Sequence, residues 1–253
     1  MPGATTRPVQ IRLDDVTKSY SSGADRTRVL DGVSLDVHEG EFLSIVGPSG
    51  CGKSTLLNII VDWVAPDSGT VETAPSRTDL RLGFVFQDPT LLDWRTVRQN
   101  LAFALRGLGV PDESHDDRIR SALALVGLAD VADQYPPTLS GGMRQRVGFA
   151  RAFCVGPDVL LMDEPFSSLD ELAARSLRRR VVDIWADDRF TAVLVTHDIG
   201  EAAYFSDRVV VLSDTPTVIE DVIALDSDRP RDPESAAAVG RERRILDALG
   251  VPD

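Results

Sequence analysis

The chain has 253 residues, 43% of them hydrophobic and 26% charged, with a formal net charge of −13. That acidic balance argues against a nucleic-acid partner, which calls for a basic face. Two cysteines are too few for a disulfide framework and point to a reducing, cytoplasmic setting. No apolar run approaches the ~20 residues of a membrane span, and residues 1–7 lack the apolar core of a signal peptide.

In chain order, Val9-Gln10-Ile11-Arg12-Leu13-Asp14 alternates as a half-exposed strand does, Tyr20 follows, and residues 21–28 read as a polar loop. An aromatic beside a loop offers a stacking surface to a nucleotide base, which makes Tyr20 a candidate. Val33-Ser34-Leu35-Asp36-Val37 is a second alternating strand, and Phe42-Leu43-Ser44-Ile45-Val46 a buried one. The stretch after it, Gly47-Pro48-Ser49-Gly50-Cys51-Gly52-Lys53-Ser54-Thr55, is G-x-x-x-x-G-K-[ST] between a strand and a helix. Its glycines let backbone N–H groups turn inward, and the helix adds its positive end, which together make a phosphate cradle. Lys53 is placed to reach the β- and γ-phosphates, and the Ser54 hydroxyl to bind Mg²⁺.

A turn at Pro66-Asp67-Ser68-Gly69, a short strand over 69–72 and an apolar run over 82–86 follow, the last ending at Gln87. Leu91, Leu92 and Trp94 form an apolar cluster that is either buried or an exposed contact patch. Thr96 reads as the N-cap of a helix over 97–108, and residues 112–152 as helical with a break at Pro136-Pro137. Ser140, Gly141 and Gly142 open the second part of that segment, a second anion site by the same physics as the first. Val159-Leu160-Leu161-Met162 suits a central parallel strand and ends in Asp163 and Glu164. Adjacent carboxylates at the end of a buried strand are costly unless partnered. A metal held by Asp163 and a water activated by Glu164 account for both.

A helix over 171–187 carries the densest basic cluster, Arg175, Arg178, Arg179 and Arg180, read as a solvated face. The strand over 192–195 ends beside His197, where open α/β sheets collect ligands, so His197 is expected to meet the γ-phosphate. Late strands over 208–212 and 218–222, a polar linker over 226–231 and a helix over 233–249 complete the chain.

Taken in order, Tyr20, 47–55, Gln87, 139–145, 159–165, 167–170 and His197 resemble an ABC transporter ATP-binding subunit over nearly the whole chain. The resemblance implies an α/β P-loop NTPase core of mainly parallel sheet, with an antiparallel β subdomain and a helical signature subdomain. It implies one ABC ATPase domain over 1–253: a RecA-like core with β subdomain over 1–88 and 155–225, a helical subdomain over 89–154, and a linker and helix over 226–253. Carried over, Tyr20 stacks on the base, 47–55 is Walker A, and Gln87 contacts Mg²⁺ and the γ-phosphate side. Ser140, Gly141 and Gly142 are the signature, Asp163 and Glu164 the Walker B metal carboxylate and base, Asp170 the D-loop aspartate, and His197 the switch histidine.

The implied activity is Mg-dependent ATP hydrolysis. The implied assembly is a homodimer bound to integral-membrane permease subunits on the cytoplasmic side of the membrane, served indirectly by a solute-binding protein. Residues 86–100 are similar to the nitrate, sulfonate and taurine importers, and the short tail after His197 agrees with them. An exporter subunit and a soluble regulatory ABC ATPase are the alternatives. Val61-Asp62 departs from the usual Ala-Gly and is expected to perturb local packing, and Asp93 departs from the usual Pro before the Trp.

Overall fold

A computed structural model of the chain describes residues 7–22, 25–225, 229 and 231–250. In order, the elements are β1 (Val9–Ser22), β2 (Asp25–His38), β3 (Phe42–Val46), α1 (Lys53–Ile60), β4 (Ser68–Thr73), β5 (Leu82–Val85), α2 (Val97–Gly107), α3 (His115–Leu125), α4 (Gly141–Cys154), β6 (Val159–Asp163), α5 (Glu171–Asp188), β7 (Thr191–Val195), α6 (Ile199–Phe205), β8 (Arg208–Leu212), β9 (Ile219–Ala224) and α7 (Ala236–Ala248). They fall into two compact units, one of residues 1–79 and 191–253, the other of 80–190.

The first unit holds an antiparallel sheet of order β2-β1-β4. The segment expected as a polar loop over 21–28 is instead largely strand. β1 runs to Ser22 and β2 starts at Asp25, with Ser22 opposite Asp25 and Tyr20 opposite Thr27. Residues 23 and 24 lie outside the described residues. The first four residues of β2 are exposed, so this end of the ribbon is polar because neither face is covered, and alternation cannot reveal it. In the same unit β3 pairs in parallel with both β7 and β8, while β9 returns antiparallel on β8. β3 and β7 are buried along their whole length, as parallel strands covered on both faces must be. Phe42 stacks on Phe205 at 5.0 Å.

α6 and α7 close this core. Val46, Ala202, Val209, Val211, Ile223 and Ile245 form one apolar cluster. Two buried arginines satisfy carbonyls around the end of α6. Arg231 donates to Ala203, Tyr204, Ser206 and Leu225 carbonyls, and Arg241 Nε donates to that of Ala203. Such caps meet the orphan acceptors at a helix C-terminus. The expected linker over 226–231 lies mostly outside the described residues, and the expected terminal helix is α7, N-capped by Ser235.

In the second unit β5 and β6 pair in parallel, Leu82 opposite Val159 and Val85 opposite Met162. Thr96 caps α2 through a capping box with Gln99. Val97, Leu101 and Leu105 bury one stripe of α2, and Val147, Ala150 and Cys154 one of α4. The basic cluster on α5 is not wholly a solvated face. The Arg178 guanidinium lies 5.8 Å over the Phe166 ring, and Arg180 donates to the Ala124 and Leu125 carbonyls at the end of α3. Trp94 is 75% exposed and Phe103 54%, while Leu91 and Leu92 are half-buried, so the Trp94 end of the apolar cluster is surface.

Asp62 takes φ = 66°, the left-handed conformation in which glycine is at ease. The acidic residue after α1 therefore adopts a glycine's backbone and sends its carboxylate outward to Arg77, 3.3 Å away. The expected disturbance of packing is absent: Leu56, Leu57, Ile59 and Ile60 of α1 remain buried.

Candidate nucleotide site

In the first unit, buried β3 delivers the chain into 47–52. Gly47 and Gly52 are required by space: a Cβ would lie 2.9 Å from the Leu212 carbonyl oxygen at the first and 2.6 Å from Val29 Cγ1 at the second. Gly52 also carries φ = 111° and is the N-cap of α1. No side chain caps that helix and its first turn holds no acid, so its N–H groups and positive end are left for an anion. Lys53 is buried, and its Nζ donates to the carbonyls of Gly47 at 2.8 Å and Pro48 at 2.7 Å. These bonds hold the ammonium across the loop it belongs to. Pro48, Ser49, Gly50 and Ser54 are exposed, and Thr55 is half-buried.

Cys51 points inward, where burial pushes its thiol pKa up against the opposing pull of Lys53. Its carbonyl accepts the Thr217 hydroxyl. Thr217, wholly buried, braces the loop from 166 residues away, and nothing in its local sequence announces that. Tyr20, 44% exposed on β1, has Lys18 Nζ 5.6 Å from its ring centroid.

His197 is exposed at the end of β7, between two anchored neighbours. The Thr196 hydroxyl donates to Glu201 Oε2 at 2.7 Å and accepts the Asp198 N–H at 3.0 Å, while Asp198 caps α6 through the Glu201 N–H. Thr196 and Glu201 are both buried, so a closed polar network fixes the turn that presents the imidazole.

In the second unit the structure brings Gln87 and Glu164 together: Gln87 Nε2 donates to Glu164 Oε2 at 3.2 Å. Asp163 ends β6, and Glu164 turns off it with φ = 42°. The Glu164 carbonyl accepts both the Ser167 hydroxyl, at 2.9 Å, and the Ser167 N–H, at 3.3 Å. Gln145, not singled out among the site residues from sequence, is fully buried, and its Nε2 donates to the Phe86 and Pro165 carbonyls, both at 2.9 Å. A glutamine on the helical stripe of Gly148, Phe149 and Ala152 is the signal that could have flagged it.

Ser140 caps α4, its Oγ accepting the Met143 N–H at 3.2 Å. Gly141 and Gly142 begin that helix, and a Cβ on Gly142 would meet Leu169 Cδ2 at 3.2 Å. Asp170 caps α5, accepting the Ala173 N–H at 2.9 Å. Gln87, Asp163 and Glu164 thus gather in one place in this unit, with Ser140 and Asp170 each at the head of a helix.

Comparison with known proteins places this chain. Residues 30–167 match the ABC transporter family model. The chain is 40% identical over 251 residues to the aliphatic sulfonates import ATP-binding protein SsuB 2 of Burkholderia cenocepacia, covering 98% of this chain and 90% of that one. It is 39% identical over 229 residues to the bicarbonate transport ATP-binding protein CmpD of Synechococcus elongatus, covering 88% and 82%. Among solved structures, the dimeric structure of MJ0796, a bacterial ABC transporter cassette, superposes with a TM-score of 0.79 at 34% identity, covering 86% of this chain and all of that one. A post-hydrolysis structure of the same cassette with ADP and Pi gives a TM-score of 0.77. With its phosphate loop on an uncapped helix and its Gln87–Glu164 pair, the chain belongs to the ABC transporter family and is one of its ATP-hydrolysing subunits.

Proposed function

We propose that this subunit energises an importer of a small anion, of the sulfonate or bicarbonate kind, as a pair of copies seated on the cytoplasmic face of a membrane permease and fed by a solute-binding protein. The observation that carries the import reading is the 40% identity across 98% of the chain to a sulfonate import ATP-binding protein. No helix among the described residues is long and apolar enough to cross a membrane. The exposed Trp94 and Phe103 are the docking surface for the permease.

The residues present fit Mg²⁺ and ATP. The uncapped N-terminus of α1, the 47–52 amides and the Lys53 ammonium suit a polyphosphate. Mg²⁺ takes one or two protein oxygens and keeps waters and substrate phosphates. Ser54, at the start of α1, and Asp163, at the end of β6, would each offer such an oxygen, and the ion, when bound, would neutralise phosphate charge.

The chain's own residues do the rest. Lys53 holds phosphate charge, and Tyr20 stacks on the base. Glu164 accepts the proton of the attacking water, and Gln87 orients the Glu164 carboxylate. His197 donates to the γ-phosphate from its fixed turn. Ser140, Gly141, Gly142 and Asp170 act across the pair of copies, on the partner's nucleotide. The chain works as one cassette, a RecA-like core with its β subdomain, a helical subdomain and a C-terminal helix.

Reconstitution with a permease and a solute-binding protein of the sulfonate or bicarbonate importers tests the reading. ATP-dependent accumulation of an alkanesulfonate, nitrate or bicarbonate inside vesicles is expected. ATP-driven efflux, or hydrolysis indifferent to both partners, would overturn it.

A further inference from the structure

We infer that Gln145 is a positioning residue that links the signature helix α4 to the Gln87–Glu164 pair of the same chain, and thereby couples the two nucleotide sites of the assembled pair. The inference rests on the roles proposed above for Glu164 and the signature residues.

Gln145 is 0% exposed. A buried side-chain amide is tolerated only where its hydrogen bonds are used, and both donors of this one go to backbone carbonyls, those of Phe86 and Pro165. These residues directly precede Gln87 and directly follow Glu164. One amide therefore clamps the two chain segments whose side chains meet at 3.2 Å. Its Oε1 is buried without a hydrogen-bond partner, so the carbonyl end adds nothing that would explain a glutamine here, and the donors are what the position uses.

Gln145 lies five residues from Ser140, about 7.5 Å along the helix axis at 1.5 Å per residue. A helix is stiff over that distance, so a displacement of its Ser140 end reaches the Phe86 and Pro165 carbonyls with little loss. Those carbonyls set the separation of Gln87 from Glu164. With Ser140, Gly141 and Gly142 against the partner's nucleotide, occupancy of one site shifts the geometry of hydrolysis in the other.

The test uses the full chain with ATP and Mg²⁺. Gln145→Leu and Gln145→Met keep the volume and lose the donors; each is expected to lower kcat tenfold to a hundredfold, on the order of the cost of misplacing a catalytic group by ~1 Å. ATP KM should stay within about twofold and the Hill coefficient for ATP should fall toward one, the mark of lost coupling. In a Glu164→Gln background the same substitutions should change the residual rate less than about twofold, because a positioning residue has nothing left to position. Unchanged kcat, a loss confined to KM, an unchanged Hill coefficient, or full additivity with Glu164→Gln would each overturn the inference. Wild-type hydrolysis by Glu164→Gln alone would overturn instead the reading of Glu164 on which it rests. Should neither apolar variant fold, the side-chain amide resonances of Gln145 decide: nucleotide-dependent shifts in the otherwise wild-type chain support the link, and fixed resonances refute it.

Discussion

Gln87 Nε2 sits 3.2 Å from Glu164 Oε2, and the glutamate that receives this bond holds a left-handed backbone at φ = 42°. For a non-glycine residue that conformation costs on the order of 1–2 kcal/mol. It also breaks strand alternation, so Asp163 and Glu164 need not follow the pleat of β6. The doubly bonded Glu164 carbonyl, held by Ser167, keeps the strain in place.

Substitution of Glu164 by glutamine keeps the shape and removes the base. Turnover should fall by ~10²–10⁴, the usual contribution of a general base, with ATP affinity retained. With a negative charge gone from beside the phosphates, the variant should elute as a dimer in ATP and Mg²⁺ while the wild type runs mainly as monomer. Phosphate release alongside size exclusion measures both. Undiminished hydrolysis would move the base elsewhere, His197 first.

Removal of the Lys53 ammonium should leave the fold and weaken ATP. Each charge-assisted hydrogen bond is worth about 1.5–3 kcal/mol, so Lys53→Ala should lose at least about tenfold in affinity by calorimetry. Its thermal midpoint should fall as well, since the buried ammonium's bonds to the Gly47 and Pro48 carbonyls are lost with it. Unaltered affinity would rule out Lys53 as the phosphate ligand.

At the surface, Trp94 is 75% exposed, so Trp94→Asp should fall within about 0.5 kcal/mol of wild-type stability. Basal ATPase activity should persist while co-purification with the permease is lost. Leu92 is the less clean probe, because its backbone N–H and carbonyl are both tied to Asn100. Normal assembly of Trp94→Asp would show that the permease docks elsewhere.

The left-handed Asp62 supplies a stability test free of catalysis. Asp62→Gly should be neutral or stabilising by up to about 1 kcal/mol, relief of strain offsetting the exposed pair with Arg77. Asp62→Val should destabilise by about 1–2 kcal/mol, because a β-branched residue is worst at φ > 0. Equal urea midpoints for all three would show that the turn relaxes.

What the sequence disclosed was local. The phosphate loop, the Thr96 cap and the buried strands 42–46 and 159–162 are written in adjacent residues, through spacing, capping and apolar runs. The braces were not. Thr217 reaches Cys51, Gln145 reaches Phe86 and Pro165, and Arg231 reaches the end of α6, each across 20 residues or more, and periodicity carries no record of such partners. Residues 25–28 failed for another reason: strand pairing is a property of two segments, and a ribbon with both faces in water has the composition of a loop.

Arg231 and Arg241 take carbonyls around the close of α6, and α6 opens two residues after His197. The segment that holds Arg231 and Arg241 is therefore a splint on the helix that follows His197. A load that pulls α7 away would free the end of α6 and slacken the turn that presents His197, at a distance in sequence from anything the load touches.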